Sequence, residues 1–126
     1  MTRLPDYLDH LTAEERANVL AIRRLNDALR TSGGSSAHGQ WFVTIGVREC
    51  GPMFVALACL AVAGFNRFSE ANDPYGEHDF GAFTLWEKRL NWKIDYYDLD
   101  LAGASPNPAD PAITVRVLTL MLAEER

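Results

Sequence analysis

Cysteine is almost missing from this chain of 126 residues, which has only Cys50 and Cys59. On the helix predicted around them they would stand roughly 13 Å apart at a rise of about 1.5 Å per residue, beyond disulfide reach. Two thiols without metal-ligand spacing or a partner motif exclude a disulfide scaffold, a zinc cluster and a cysteine nucleophile, and read as reduced thiols of a cytosolic protein. Long apolar runs are scarce as well. The longest, Pro52 to Phe65, is shorter than the roughly 20 residues a spanning helix needs, so no segment is expected to cross a membrane. Met1 to His10 holds one Arg, two Asp and no apolar stretch, unlike a secretory leader, and a cytoplasmic location is expected.

An excess of positive charge is also lacking. The net charge is −5, and it is unevenly spread: Met1 to Phe68 has seven basic and six acidic residues, whereas Ser69 to Asp110 has three basic and nine acidic. Such a field argues against direct nucleic-acid binding and suits a basic protein surface or a cation. Apolar residues at 48% and charged residues at 23% are ordinary for a folded chain, and the length predicts one domain, residues 1–126, with 1–11 as an N-terminal tail.

Thr12 followed by Glu15 is a capping-box signature. Val19, Ile22, Leu25 and Leu29 then recur at helical spacing, with Arg23, Asp27 and Arg30 on a polar side, so residues 13–31 form an amphipathic helix. Ser32 to Ser36 is a flexible connector with no P-loop spacing. Gln40 to Val47 alternates as a strand, Trp41, Val43, Ile45 and Val47 forming one face. Gly51 and Pro52 open a second helix through Ala63, apolar enough to be buried on more than one side or covered by a partner. Phe80 to Trp86 and Leu90 to Tyr97 predict a hairpin joined at Glu87, Lys88 and Arg89, with Leu90, Trp92, Ile94 and Tyr96 inward. Asp110 as N-cap and Pro111 at the first helical position predict a last helix ending near Glu125; Ile113 to Val117 alternates and is β-branched, which keeps a strand open there. The expected fold is α+β, a three-stranded, mainly antiparallel sheet with helices packed on it, in the order α-β-α-β-β-α.

The densest run of chemistry-bearing residues lies between Glu70 and Gly81, continued along the hairpin by Asp95, Tyr96, Tyr97, Asp98 and Asp100. The strings NDPYGEHDFGAF and WKIDYYD, then NPADPA, with LNDALR in the first helix, resemble a bacterial family known as domain of unknown function 3768. The resemblance implies carriage on plasmids and other mobile elements beside anti-restriction genes, and it brings no catalytic residue with it. Ala56 to Ala63 has no charged residue, a departure from the family's usual pattern that points to a partner-covered surface.

Asp73, Glu77, His78 and Asp79, with Asp95 or Asp98 across the sheet, are oxygen and imidazole donors of the kind a divalent metal takes. Asp73 before Pro74, with Gly76 at the fourth position, is also turn chemistry, and the spacing matches neither a zinc-protease helix nor a calcium loop, so the turn is preferred and no metal or other cofactor is expected. An imidazole oriented by a carboxylate, His78 with Asp79 or Asp95, would serve acid/base catalysis, although no nucleophile stands beside it. His10 and His38 carry no assignment. Asp95, Tyr97, Asp98 and Asp100 would form an acidic, aromatic contact surface for an Arg-rich partner. The expected function is that of a small binding or inhibitor protein of mobile-element origin. It would contact a host restriction or CRISPR component stoichiometrically. The alternatives are a metal-dependent or acid/base enzyme on the Asp73 to Asp79 segment with Asp95, and a member of a toxin–antitoxin pair.

Overall fold

A computed structural model describes residues 3–125. The first helix, α1 (Ala13–Thr31), begins at the capping box: the Glu15 amide donates to the Thr12 hydroxyl at 3.1 Å and the Thr12 amide to the Glu15 carboxylate at 2.8 Å. Residues 3–11, expected as a tail, lie against the domain, with Leu4 and Leu8 buried and the Tyr7 hydroxyl donating to the Asp73 carbonyl at 2.6 Å.

Strand β1 is Gln40–Val43, half the length predicted, and a single helical turn, α2 (Ile45–Arg48), follows it. The chain turns because Glu125 reaches back from the other end of the domain. Its carboxylate accepts from the Thr44 hydroxyl at 2.6 Å and from the Gly46 amide at 3.1 Å, and a Cβ at position 46 would lie 2.6 Å from that carboxyl. Val47 is then buried while Ile45 is 70% exposed, so the two residues predicted on one strand face point different ways. A period of two extended over four further residues could not reveal a tertiary anchor 79 positions downstream.

The second predicted helix is α3 (Pro52–Ala63), which buries Phe54, Ala58 and Val62. Cys50 precedes it in a turn rather than on the helix, and both cysteines are free thiols. Strands β2 (Phe80–Leu85) and β3 (Lys88–Tyr97) form the expected antiparallel hairpin, closed by Trp86 and Glu87 alone; Lys88 and Arg89 already pair with Leu85 and Thr84. Both turn residues have positive φ, 51° and 67°, which suits the right-handed twist of a two-residue hairpin.

The last predicted helix is a strand, β4 (Val115–Leu122), and the sheet has four strands, not three, in the order β1-β4-β3-β2. Asp110 spends its side chain on a local turn, accepting from the Ala112 amide at 2.9 Å, and a strand rather than a helix comes next. The β-branched alternation after it prevails: Leu118, Leu120 and Leu122 are buried on one face, while Val115, Val117 and Thr119 stand on the other. β4 pairs parallel with β1 and antiparallel with β3, which makes it central.

Leu29 of α1, Val47 of α2, and Phe54, Ala58 and Val62 of α3 join Leu90, Trp92, Ile94, Leu118, Leu120 and Leu122 in a single cluster. All three helices therefore feed one face of the sheet. The other face, with Phe42, Lys93, Asp95, Tyr97, Val115 and Val117, contributes nothing to that cluster. No helix of the described residues is long and apolar enough to cross a membrane.

Candidate functional site

The segment richest in chemical groups is built as a turn. The Gly76 amide donates to the Asp73 carbonyl at 3.1 Å, and Gly76 has φ 76° with Leu8 packed where a Cβ would stand. Asp73, 1% exposed, uses its carboxylate to accept the His78 amide at 3.0 Å. That bond helps hold His78 at φ 58°, a conformation a non-glycine residue adopts only where its surroundings fix it. The imidazole then stacks on Phe68 at 3.8 Å between ring centroids, and its Nδ1 lies 3.0 Å from the Asp27 carboxylate. Nε2 is 3.7 Å from the second Asp73 oxygen, too far for a hydrogen bond.

The neighbours that complete the arrangement come from α1, β3 and β4. Asn26, fully buried, donates to the Glu77 carbonyl at 3.0 Å and to the Tyr96 hydroxyl at 2.8 Å, and accepts from Arg116 Nε at 2.8 Å. Tyr96 in turn donates to the Glu77 carboxylate at 2.7 Å, and the Arg116 guanidinium also reaches the Pro108 carbonyl. Arg23 donates to the Gly76 carbonyl at 2.8 Å. Arg30 gives one Nη to the carbonyls of Val62, Ala63 and Phe65 at 3.2, 3.0 and 2.9 Å and the other to Asp27 at 3.0 Å. A cation is thus placed at the negative end of α3, where unpaired carbonyls and the helix dipole favour one. Three arginines enter the acidic cluster: Arg30 pairs with Asp27, Arg116 feels the charge of Glu77, and Arg23 holds the Gly76 carbonyl.

Burial and charge set the acidities. Burial alone would raise the Asp27 carboxyl, but hydrogen bonds from His78 and Arg30 outweigh it and hold the group below its usual range. At Asp79 the balance is reversed: burial, followed by the charges of Glu77 and Asp73, outweighs a bond from its own backbone and pushes it up to about 6. Burial and the Glu77 charge push the Tyr96 phenol far above its ordinary value.

Of the metal or acid/base set suggested by the sequence, Asp73, Glu77 and His78 come together, but with arginine, asparagine and tyrosine around them. Among the described residues no three His, Cys, Asp or Glu side chains are grouped to hold a metal ion. Asp95 lies on the other face of the sheet, paired with Lys93 at 2.5 Å. Arg23, Asn26, Asp27, Arg30 and Arg116 carry the network; the sequence marks Arg23, Asp27 and Arg30 as a polar helix side and none of the five as a site residue. Positions 23, 26, 27 and 30 share a helical face by spacing, which was the available signal, but spacing does not say that this polar face points inward.

The predicted contact surface is arranged differently. Tyr97 is half-buried rather than a free ring, and Asp98 ties down a loop. Its amide donates to the Gly103 carbonyl at 2.9 Å, its carboxylate accepts the Ala102 amide at 2.9 Å, and its carbonyl accepts the Leu101 amide at 3.0 Å. The tip projects Leu99 and Leu101, 60% and 54% exposed, on either side of exposed Asp100. Leu101 holds φ 57° there.

The molecule is thus a two-layer α+β protein whose titratable residues turn inward while an acidic loop turns outward. The chain belongs to the family described as Protein of unknown function (DUF3768), whose model matches residues 43–125. The LNDALR string of α1 lies outside that stretch. No curated protein and no solved structure matches the chain.

Proposed function

We propose that the chain is a small binding or inhibitor protein that contacts a basic protein surface stoichiometrically through the Asp98–Gly103 loop and the adjoining uncovered sheet face with Asp95 and Tyr97. The observation that carries this reading is the loop itself: its base is fixed by three hydrogen bonds at Asp98, and its tip holds two leucines and a carboxylate in solvent. A loop ordered before contact loses less entropy on binding, and exposed leucines supply the apolar anchor that charge alone does not. Asp100 would steer a cationic partner and make its association salt-sensitive, while Asp95, paired with Lys93, adds a contact rather than a free charge. A host defence protein as partner and an origin on a mobile element, both implied by the family resemblance, belong to the same proposal.

The test is capture of a partner from a bacterial lysate by the tagged chain, compared with the pair Leu99→Ser and Asp100→Lys. Both sites are exposed and outside the loop's hydrogen bonds, so circular dichroism should be unchanged while the retained protein is lost. Undiminished capture by the folded pair would overturn the assignment. A second reading, an acid/base enzyme, has one geometric point in its favour: the Asp27–His78 contact borders a hollow of about 320 Å³ lined by Leu20, Arg23, Arg24 and Asp27. Saturable binding of a small anion by the isolated chain, abolished by Arg24→Ala, would favour it.

A further inference from the structure

Only one side of α3 is used by the core. Phe54, Ala58 and Val62 are buried, while Met53 and Leu60 are 66% and 68% exposed on the opposite side, and Trp86, edge-on to Phe54 at 5.5 Å, is 57% exposed. No residue of Pro52–Ala63 is charged. Helical spacing sets Met53, Ala56, Leu60 and Ala63 in a row along the outward side, large and small side chains alternating. A row of that order is complementary to its own reverse. Turned about a two-fold axis, Met53 meets Ala63 and Leu60 meets Ala56 of a second copy, and each contact occurs twice, as an isologous interface requires.

We propose that this face pairs with the same face of a second copy of the chain, α3 lying antiparallel to α3. Large side chains entering the spaces over small ones is how helices interlock at the density of an interior. Each chain carries a net charge of −5, so two copies attract poorly in general, and the uncharged α3 face is where they can approach without like charges meeting. Taking about 200 Å² for a large side chain, Met53, Leu60 and Trp86 leave roughly 400 Å² open. Ala56 and Gly64 are exposed as well, so the face is on the order of 500 Å² per copy and a pair buries on the order of 1,000 Å², the scale of a weak, reversible interface.

Sedimentation velocity of the full chain tests this pairing, with Ala56→Glu and Leu60→Lys as single variants and circular dichroism as the check on folding. The wild type should sediment as a dimer, and each single variant should self-associate roughly tenfold or more weakly, since each carries a charge into a desolvated face. An equimolar mixture of the two variants should recover a dimer, because the carboxylate at 56 of one chain then faces the ammonium at 60 of the other. Met53→Lys replaces either single variant that does not fold and should also be monomeric. A wild type that is monomeric throughout, a dimer indifferent to both variants, or a mixture that stays monomeric overturns the proposal. So does a monomer that binds neutral phosphatidylcholine vesicles through this face, which would give it to lipid.

Discussion

The stretch from Asp73 to Asp79 and the stretch from Asp95 to Asp100 are alike in composition, each mixing carboxylates with tyrosine and lying beside the same hairpin, yet the molecule uses them in opposite ways. In the first, Asp73, Glu77 and His78 are consumed by bonds to α1, β3 and the chain's own turn. In the second, Tyr96 turns inward to Glu77, Asp95 pairs with Lys93 and Asp98 ties its loop, while Asp100 with the leucines beside it is released to solvent. The difference lies in what covers each stretch. Arginines from α1 and β4 approach the first, whereas no helix feeds the sheet face from which the second extends. A cluster of acidic residues therefore reads as chemistry or as structure only once the cations around it are placed.

The largest effect is expected at Arg30, which the first stretch depends on through Asp27. Arg30→Ala takes the cation from three carbonyls and from Asp27; Asp27 keeps His78 and the Val62 carbonyl keeps the Phe65 amide, but the Ala63 and Phe65 carbonyls lose their donor, and the change is expected to cost about 2–3 kcal/mol of unfolding free energy. Urea denaturation gives the number; a loss below about 1 kcal/mol, the range of an exposed pair, would mean the network contributes little.

A smaller effect of opposite sign is expected at Asp79. Its folded-state carboxyl is raised from 3.8 to about 6, so the folded form holds its proton more firmly than the unfolded chain does. Wild-type stability should accordingly fall as pH rises from near 3.8 to about 6 and stay lowered above that, as far as this group is concerned. Asp79→Asn should relieve the cost, gaining on the order of 1 kcal/mol at neutral pH after allowance for solvent screening, with the gain vanishing below the unfolded value. Melting curves of both proteins across that window check it, and a gain that persists in acid would assign the effect to something other than charge.

The smallest change belongs to the outward stretch. Asp100→Lys reverses a charge yet should shift stability by no more than about 0.5 kcal/mol, because the side chain is exposed and outside the hydrogen bonds of its loop. A larger loss would show that the loop is held by more than Asp98.

Much of the fold was legible from the sequence, and the errors have physical causes. The Thr12–Glu15 box, the Pro52 start of α3 and the alternation of Leu90 to Tyr96 are local signals, and each element stands where its signal lies. Asp110 and Pro111 carry an equally plain helix-start signal that the chain spends on a turn, because an Asx side chain satisfies a nearby amide whether or not a helix follows. With β4 misread, the parallel pairing with β1 and the four-strand order were lost together. At the site, the turn at Asp73 was readable from Asp-Pro and Gly, whereas the inward aim of Arg23, Asn26 and Arg30 was not: periodicity groups residues by face without saying which face the sheet will cover.

The strand order also fixes when the domain can come into being. β4 is the last strand in the chain, and it lies between β1 and β3. While the polypeptide is being made, the β2–β3 hairpin can close on neighbours close in sequence, but β1 waits 77 positions for its sheet neighbour, since Gln40 pairs with Val117. Until that last strand leaves the ribosome, Leu90, Trp92 and Ile94 have no Leu118 or Leu120 beside them, and the apolar flank of the hairpin is open to wrong partners. The nascent protein is thus most in need of protection until Val115–Leu122 has emerged, and a chain halted before Val115 would have a hairpin and helices but no middle to its sheet.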